Sequence, residues 1–321
     1  MRSSGSFRGI FVLTSVLIWP ALRGYAQDTA APAAVSVAQA QPQNQADEEV
    51  VVRGQRMSEI EFDIRSYITD FVDQVAAPPV GRGYARWNSS VCIGVHNLER
   101  DAAQYIVDRI ARLAIEVGLE PEEPGCDPDI MIIFTTDAQA VARYLVDNEP
   151  RLFRPGIGVC CMQLGLEALD DFADSDRAIR WWHVSMPVDA RTGARAIRLP
   201  QDDTYPVIAV DGPSRIHSGI RDDMYRVIIV VDGTRMHGKT WQQIGDYLAV
   251  VSLAQIDPKA DPSEFDSILN LFTNPGAYSG LTDWDLIYMH ALYSINQEQV
   301  PRMQVNQVVD KMAKEERASF E

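Results

Sequence analysis

The chain has 321 residues, 29 basic and 45 acidic side chains and a formal charge of −16, with 46% hydrophobic residues and only four cysteines. That length and apolar content suit one globular domain, and the acidity argues against nucleic acid and anionic lipid as partners.

The N-terminus reads as an export signal. Arg2 and Arg8 precede an apolar run from Ile10 to Leu22, and Gly24-Tyr25-Ala26 supplies small residues before a cut. The run is short for a membrane span, so residues 1–26 are expected to be a signal peptide and the mature chain to begin at Gln27. The mature chain then carries 26 basic against 45 acidic side chains, a formal charge of −19. The expected location is the periplasm, with outer-membrane association or secretion as alternatives. No membrane span is expected in the mature chain.

Residues 27–56 read as a tether. Its first part, to about Asp47, is rich in Ala, Gln and Pro and too poor in large apolar residues to order itself. Glu48 to Arg56 is β-prone, and its Glu49-Val50-Val51-Val52 resembles the TonB box of outer-membrane receptors, which works by adding a strand to a partner's sheet edge. The resemblance implies a partner in the cell envelope, such as a TonB-system component. An ordinary edge strand is the plainer reading.

The folded part is expected over 57–300, with a helical tail over 301–321. Ile60, Ile64, Ile68 and Phe71 recur at helical spacing. SVCIGVH reads as a buried strand, and Asn97 as the cap of a helix that buries Ala103, Ile106, Ile110, Leu113 and Val117 and ends at Gly118. DIMIIFT is a second strand, and Asp137 caps a helix through Leu145. Such a strand–helix–strand–helix run predicts neighbouring parallel strands. Residues 150–179 read as irregular, with DDFADSD as a solvated acidic turn rather than a calcium loop, because it lacks the loop's glycine and terminal glutamate. RWWHVSMPV, ARAIRL, PVIAV and YRVIIVVD follow as strands. A strongly apolar helix comes next, stopped at Pro258, and then a helix near Thr282–Ser294.

Cys92, Cys126, Cys160 and Cys161 would meet an oxidising compartment, where three pairings are open to four cysteines. Cys92 with Cys126 is preferred, since both lie near the starts of neighbouring strands. Cys160 and Cys161 lack the CxxC spacing or nearby histidines that a metal or redox site needs.

Gly233-Thr-Arg-Met-His-Gly-Lys-Thr240 satisfies the phosphate-loop pattern between a strand and a helix. No later strand ends in an aspartate for magnesium, and Thr240 with Gln243 makes a capping box, so a structural role is preferred. In RWWHV, alternation sends Trp181 and Trp182 to opposite faces. Trp182, His183, Asp246 and Tyr247 are the candidates for a binding groove; two tryptophans packed on a doubly covered sheet are the plainer expectation.

The segment Ser267-Ile-Leu-Asn270, then Leu281-Thr-x-x-Asp285 and Ala291-Leu-Tyr, resembles the closing stretch of metzincin-like zinc peptidases, across roughly 225–294. The resemblance implies a zincin-like α/β (α+β) single domain, a mixed sheet with flanking helices, and an active-site helix just upstream. That helix, Ile244 to Pro258, holds neither the two histidines at i and i+4 nor the glutamate of HExxH, and His96, His183, His217, His237 and His290 form no pair at ligand spacing. The whole chain also resembles a group of exported proteins of Gram-negative bacteria to which no activity attaches. The expectation is a pseudoenzyme: a non-catalytic binding or structural protein with no catalytic residue, metal or cofactor. The alternatives are a hydrolase working from Asp246 and Tyr247 and a TonB-coupled accessory protein.

Overall fold

The computed structural model describes residues 62–78, 81–154, 164–195 and 215–319. The signal peptide, the tether with Glu49, Val50, Val51 and Val52, the pair Cys160 and Cys161, the PVIAV segment and most of ARAIRL lie outside the described residues. All described residues fall in one compact unit, Val52–Glu321.

Four strands form a mixed sheet in the order β1-β2-β4-β3. β1 (Ile93–His96), β2 (Ile130–Thr135) and β4 (Ile220–Asp232) run parallel, and β3 (Ile179–Asp189) pairs antiparallel to β4 with a register shift between Val184 and Ser185. Parallel pairing of β1 with β2 follows from the crossover helix α2 (Arg100–Glu116) between them. The α/β character and the mixed sheet with flanking helices therefore agree with expectation.

Period-two alternation divides the sheet's side chains between two cores. Ile130, Ile132, Phe134, Val227, Ile229, Val231, Ile179 and Trp181 face one core, which α1 (62–75), α2, α5 (Trp241–Leu253), α6 (Asp283–Ser294) and α7 (Pro301–Ser319) all join. Ile228, Val230, Trp182 and Val184 face the other, built with α3 (Ala138–Asn148) and α4 (Gly165–Asp174). Because both faces are covered, β3 and the C-terminal half of β4 read as apolar runs rather than as clean alternation.

α5 is the central helix. Every residue from Gln243 to Leu253 is buried, which explains a composition apolar on all sides. α2 crosses it closely, since a Cβ on Gly245 would sit 3.0 Å from the Arg109 side chain. The helix ends at Leu253, short of Pro258, because Ala254 turns extended and Ile256 bridges to Ala76. α7 is more than a tail: Val308, Val309, Met312 and Ala313 are in the core, and Gln304 accepts from the Tyr84 N–H.

Three local expectations are corrected. Glu99, not Asn97, caps α2, its carboxylate accepting from the N–H groups of Asp101 and Ala102. Asn97 instead takes a left-handed φ of 59° and donates to the Phe134 carbonyl. Residues 165–174 are helical, and the acids read as a loose turn hold partners: Asp171 pairs with Arg177 and Asp174 with Arg143.

Candidate functional site

Trp182, His183, Asp246 and Tyr247 do not share a groove. Trp182 is 2% exposed and packs against Phe153 on the α3–α4 side, while Trp181, 4% exposed, meets Tyr247 on the α5 side. Both tryptophans are core residues on a doubly covered sheet. His183 is enclosed, and its Nε2 lies 2.7 Å from the Val251 carbonyl. A carbonyl only accepts, so Nε2 carries the proton. Burial pulls the His183 pKa down to about 4, against the opposing pull of that bond.

Asp246 and Tyr247 point to different sides of α5, as consecutive helical residues about 100° apart must. Asp246 is 1% exposed; its Oδ1 pairs with Arg109 of α2, and its Oδ2 accepts from the Leu281 N–H at 3.0 Å. Gly280 is required there, because a Cβ would come within 2.4 Å of Oδ2. With both oxygens engaged, this carboxylate pins α2, α5 and the start of α6 together and offers no base to a substrate.

Tyr247 faces a cavity of about 260 Å³ between the start of β3, α5 and the segment from Ile256 to Phe272. Trp181, Tyr247 and Phe272 meet edge to face, with ring centroids 6.1 and 5.2 Å apart. Leu269, Ile256 and Pro262 complete the apolar wall, and Arg177, Arg235, Asp176 and Asp257 supply charge. Tyr247 is only 6% exposed as a residue and lines the cavity. Burial raises its pKa, and nearby Arg177 opposes the shift. Of these residues the sequence offered Tyr247 as a groove candidate and Trp181 only through the alternation of β3; Arg177 and Trp181 at the start of β3, Arg235 after β4 and Phe272 beyond α5 are joined by no sequence spacing.

The residues that carry the zinc-peptidase resemblance form a buried polar knot below α6. Asp285 accepts from Ser267 Oγ, the Ile268 N–H, and the N–H and hydroxyl of Thr282, which caps the helix in return. Burial raises the Asp285 pKa, and these bonds hold it back. Asn270 donates to the carbonyls of Pro262 and Phe265. The knot fixes the loop that bears Leu269 and Phe272, so it shapes the cavity without entering it.

The phosphate-loop pattern does not build a phosphate cradle. The N–H groups of Thr234, Met236 and Lys239 bond to Asp232, Gly233 and Met236 of the same loop, and Thr240 and Gln243 form the capping box. Lys239 lies over the Phe272 ring, 4.9 Å from its centroid. A second, open groove of about 990 Å³ borders Trp241, which is 44% exposed, with Tyr105, Glu99 and Asp101 nearby.

The structure joins Cys92 to Cys126, with Cα atoms 5.9 Å apart. Among the described residues, the one grouping with metal-ligand geometry is these two sulfurs with Glu122, and a disulfide leaves no thiolate to ligate. The described histidines lie on β1, β3, α6 and the segments before and after β4. No described helix is long and apolar enough to cross a membrane.

Comparison with protein-family models, with curated proteins and with solved structures finds no match to this chain.

Proposed function

We propose that this is an exported, non-catalytic binding protein on a zincin-like scaffold, and that its site is the cavity walled by Trp181, Tyr247 and Phe272. The observation that carries the reading is the cavity itself: Trp181, Tyr247 and Phe272 wall it with aromatic rings meeting edge to face, the lining an apolar ligand needs. The scaffold part is supported by the chain order of β4, α5, the Ser267–Asn270 turn and α6, and by the way Ser267, Thr282 and Asp285 converge on one knot. Export is supported by the N-terminal pattern of charge, apolar run and small residues.

The hydrolase reading finds no support in Asp246, whose oxygens are both engaged. A TonB-coupled role rests on Glu49 to Val52 alone and calls for a separate measurement.

The test is titration of the mature protein with small neutral aromatic amides, followed by calorimetry. One saturable site is expected. Ala260→Phe, which places a ring in the cavity from its wall, should abolish binding while the melting temperature holds. Absence of saturable binding, or binding indifferent to Ala260→Phe, would overturn the proposal.

A further inference from the structure

The helices that follow β1 and β2 leave the sheet on opposite sides. α2 packs with α5 in one core, and α3 packs in the other. The carboxyl ends of β1 and β2 are therefore a topological switch point, the place where open α/β sheets hold their ligands. A hollow of about 290 Å³ lies there, between Asn97 and Leu98 after β1, Thr135 at the end of β2 and Gly233 after β4. Trp241 lines this hollow and also the open groove of about 990 Å³ between the starts of α2 and α5. Neither shares a lining residue with the cavity at Tyr247.

The lining selects by charge. Glu99 and Asp101 are the charged residues of the groove, and no basic residue lines it or the hollow. Arg100 stands between the two acids in sequence but outside the lining, and Lys239 lies over the Phe272 ring instead. The Asp101 carboxylate holds no hydrogen bond or ion pair among the described residues, and Glu99 caps α2 through Oε2, leaving Oε1 open. Helix starts commonly attract anions, but here Glu99 and Asp137 already meet the first N–H groups of α2 and α3 with carboxylates. Beside the acids stand two exposed rings, Trp241 and Tyr105, the latter 38% exposed. A ring face attracts cations, tryptophan's most strongly. A guanidinium stacks on such a face and also meets a carboxylate through paired N–H groups. The formal charge of −16 draws cations from a distance, and the rings fix where one stops.

The groove is larger than a lone amine fills, at the upper end of the roughly 300–1,000 Å³ of drug-sized sites. Gln242 and Ser279 in its walls are neutral groups of the kind that bond a peptide backbone. We propose that this groove binds an extended, arginine-bearing peptide segment of a partner protein, with one guanidinium over Trp241 and paired with Asp101.

The experiment titrates the mature protein with acetyl-Gly-Arg-Gly-Arg-Gly-amide and with the same peptide carrying citrulline, which keeps arginine's shape without its charge. The arginine peptide should bind at one saturable site, at least about tenfold tighter than the citrulline peptide. It should also shield Trp241 from acrylamide quenching, a local signal because the other described tryptophans are buried. Trp241→Ala and Asp101→Asn should each weaken the arginine peptide about fivefold or more. Trp241→Leu keeps apolar bulk without the aromatic face, and it reports should Trp241→Ala unfold. Asp147→Asn removes an equal charge at the end of α3, outside the groove, and should leave binding unchanged. Equal affinity for the arginine and citrulline peptides, or quenching that the peptide does not alter, would overturn the proposal. So would equal losses in Asp147→Asn and Asp101→Asn, which would mean attraction to net charge alone. Arginine amide binding as tightly as the peptide would overturn the choice of a peptide segment in favour of a small free cation.

Discussion

His183 is sealed between β3 and α5, and its titration ties stability to pH. The unfolded chain takes up this proton near the ordinary value of 6.5, whereas the native state refuses it until about 4. Between those values the unfolded state binds more protons, so this contribution is complete above pH 6.5 and falls away as pH drops to 4, by about 3 kcal/mol in total. Urea unfolding of the wild type and of His183→Gln, measured from pH 7 to pH 4, should show a flatter dependence in the variant, because the glutamine amide donates to Val251 without titrating. Parallel curves would show that His183 is not the group responsible. Asp246 illustrates the other side of reading single residues. A lone acid on an apolar helix marks itself out in sequence, but its role depended on Arg109, 137 positions away, and no local pattern carries that pairing.

At the scale of elements, the Thr240–Gln243 capping box was legible because every part of it lies within four residues, and it stands in the structure where the sequence put it. A second box, Thr282 with Asp285, opens α6. The Thr282 box is also tied into the tertiary fold, since its Asp285 holds Ser267 and Ile268. Thr240→Ala should therefore cost about 1 kcal/mol, an ordinary cap. Asp285→Ala should cost at least about 3 kcal/mol, since it leaves several buried donors unpaired. Guanidinium unfolding of both variants checks the ranking, and equal losses would mean that the knot adds nothing to the cap. Elements were misread where a local signal had a rival. α4 hid behind its run of acids, with only Leu169, Phe172 and Ala173 buried to mark its inner face. Asn97, a good cap by type, lost that place to Glu99 because its own backbone turns left-handed. The cavity was invisible for a different reason: its walls come from the start of β3, the loop after β4, α5 and the segment beyond it, and only the sheet order brings these together.

For the whole molecule, the Cys92–Cys126 bond is the one covalent tie between described residues, closing a separation of 34 residues. On the chain-entropy model it stabilises by roughly 3–4 kcal/mol. Reduction should lower the melting temperature by several degrees, and scanning calorimetry with and without reductant would show it; an unchanged transition would mean that the bond is absent or without effect. The same bond has a topological consequence. β1 and α2 lie wholly within a covalent ring, so one peptide cut anywhere inside it opens a loop without dividing the molecule. In the turn that follows α2, the exposed Glu122–Glu123 bond, with no proline after Glu122, offers a glutamate-specific protease its cut there. The nicked protein should migrate as one species on a non-reducing gel and part into two only when reductant is added.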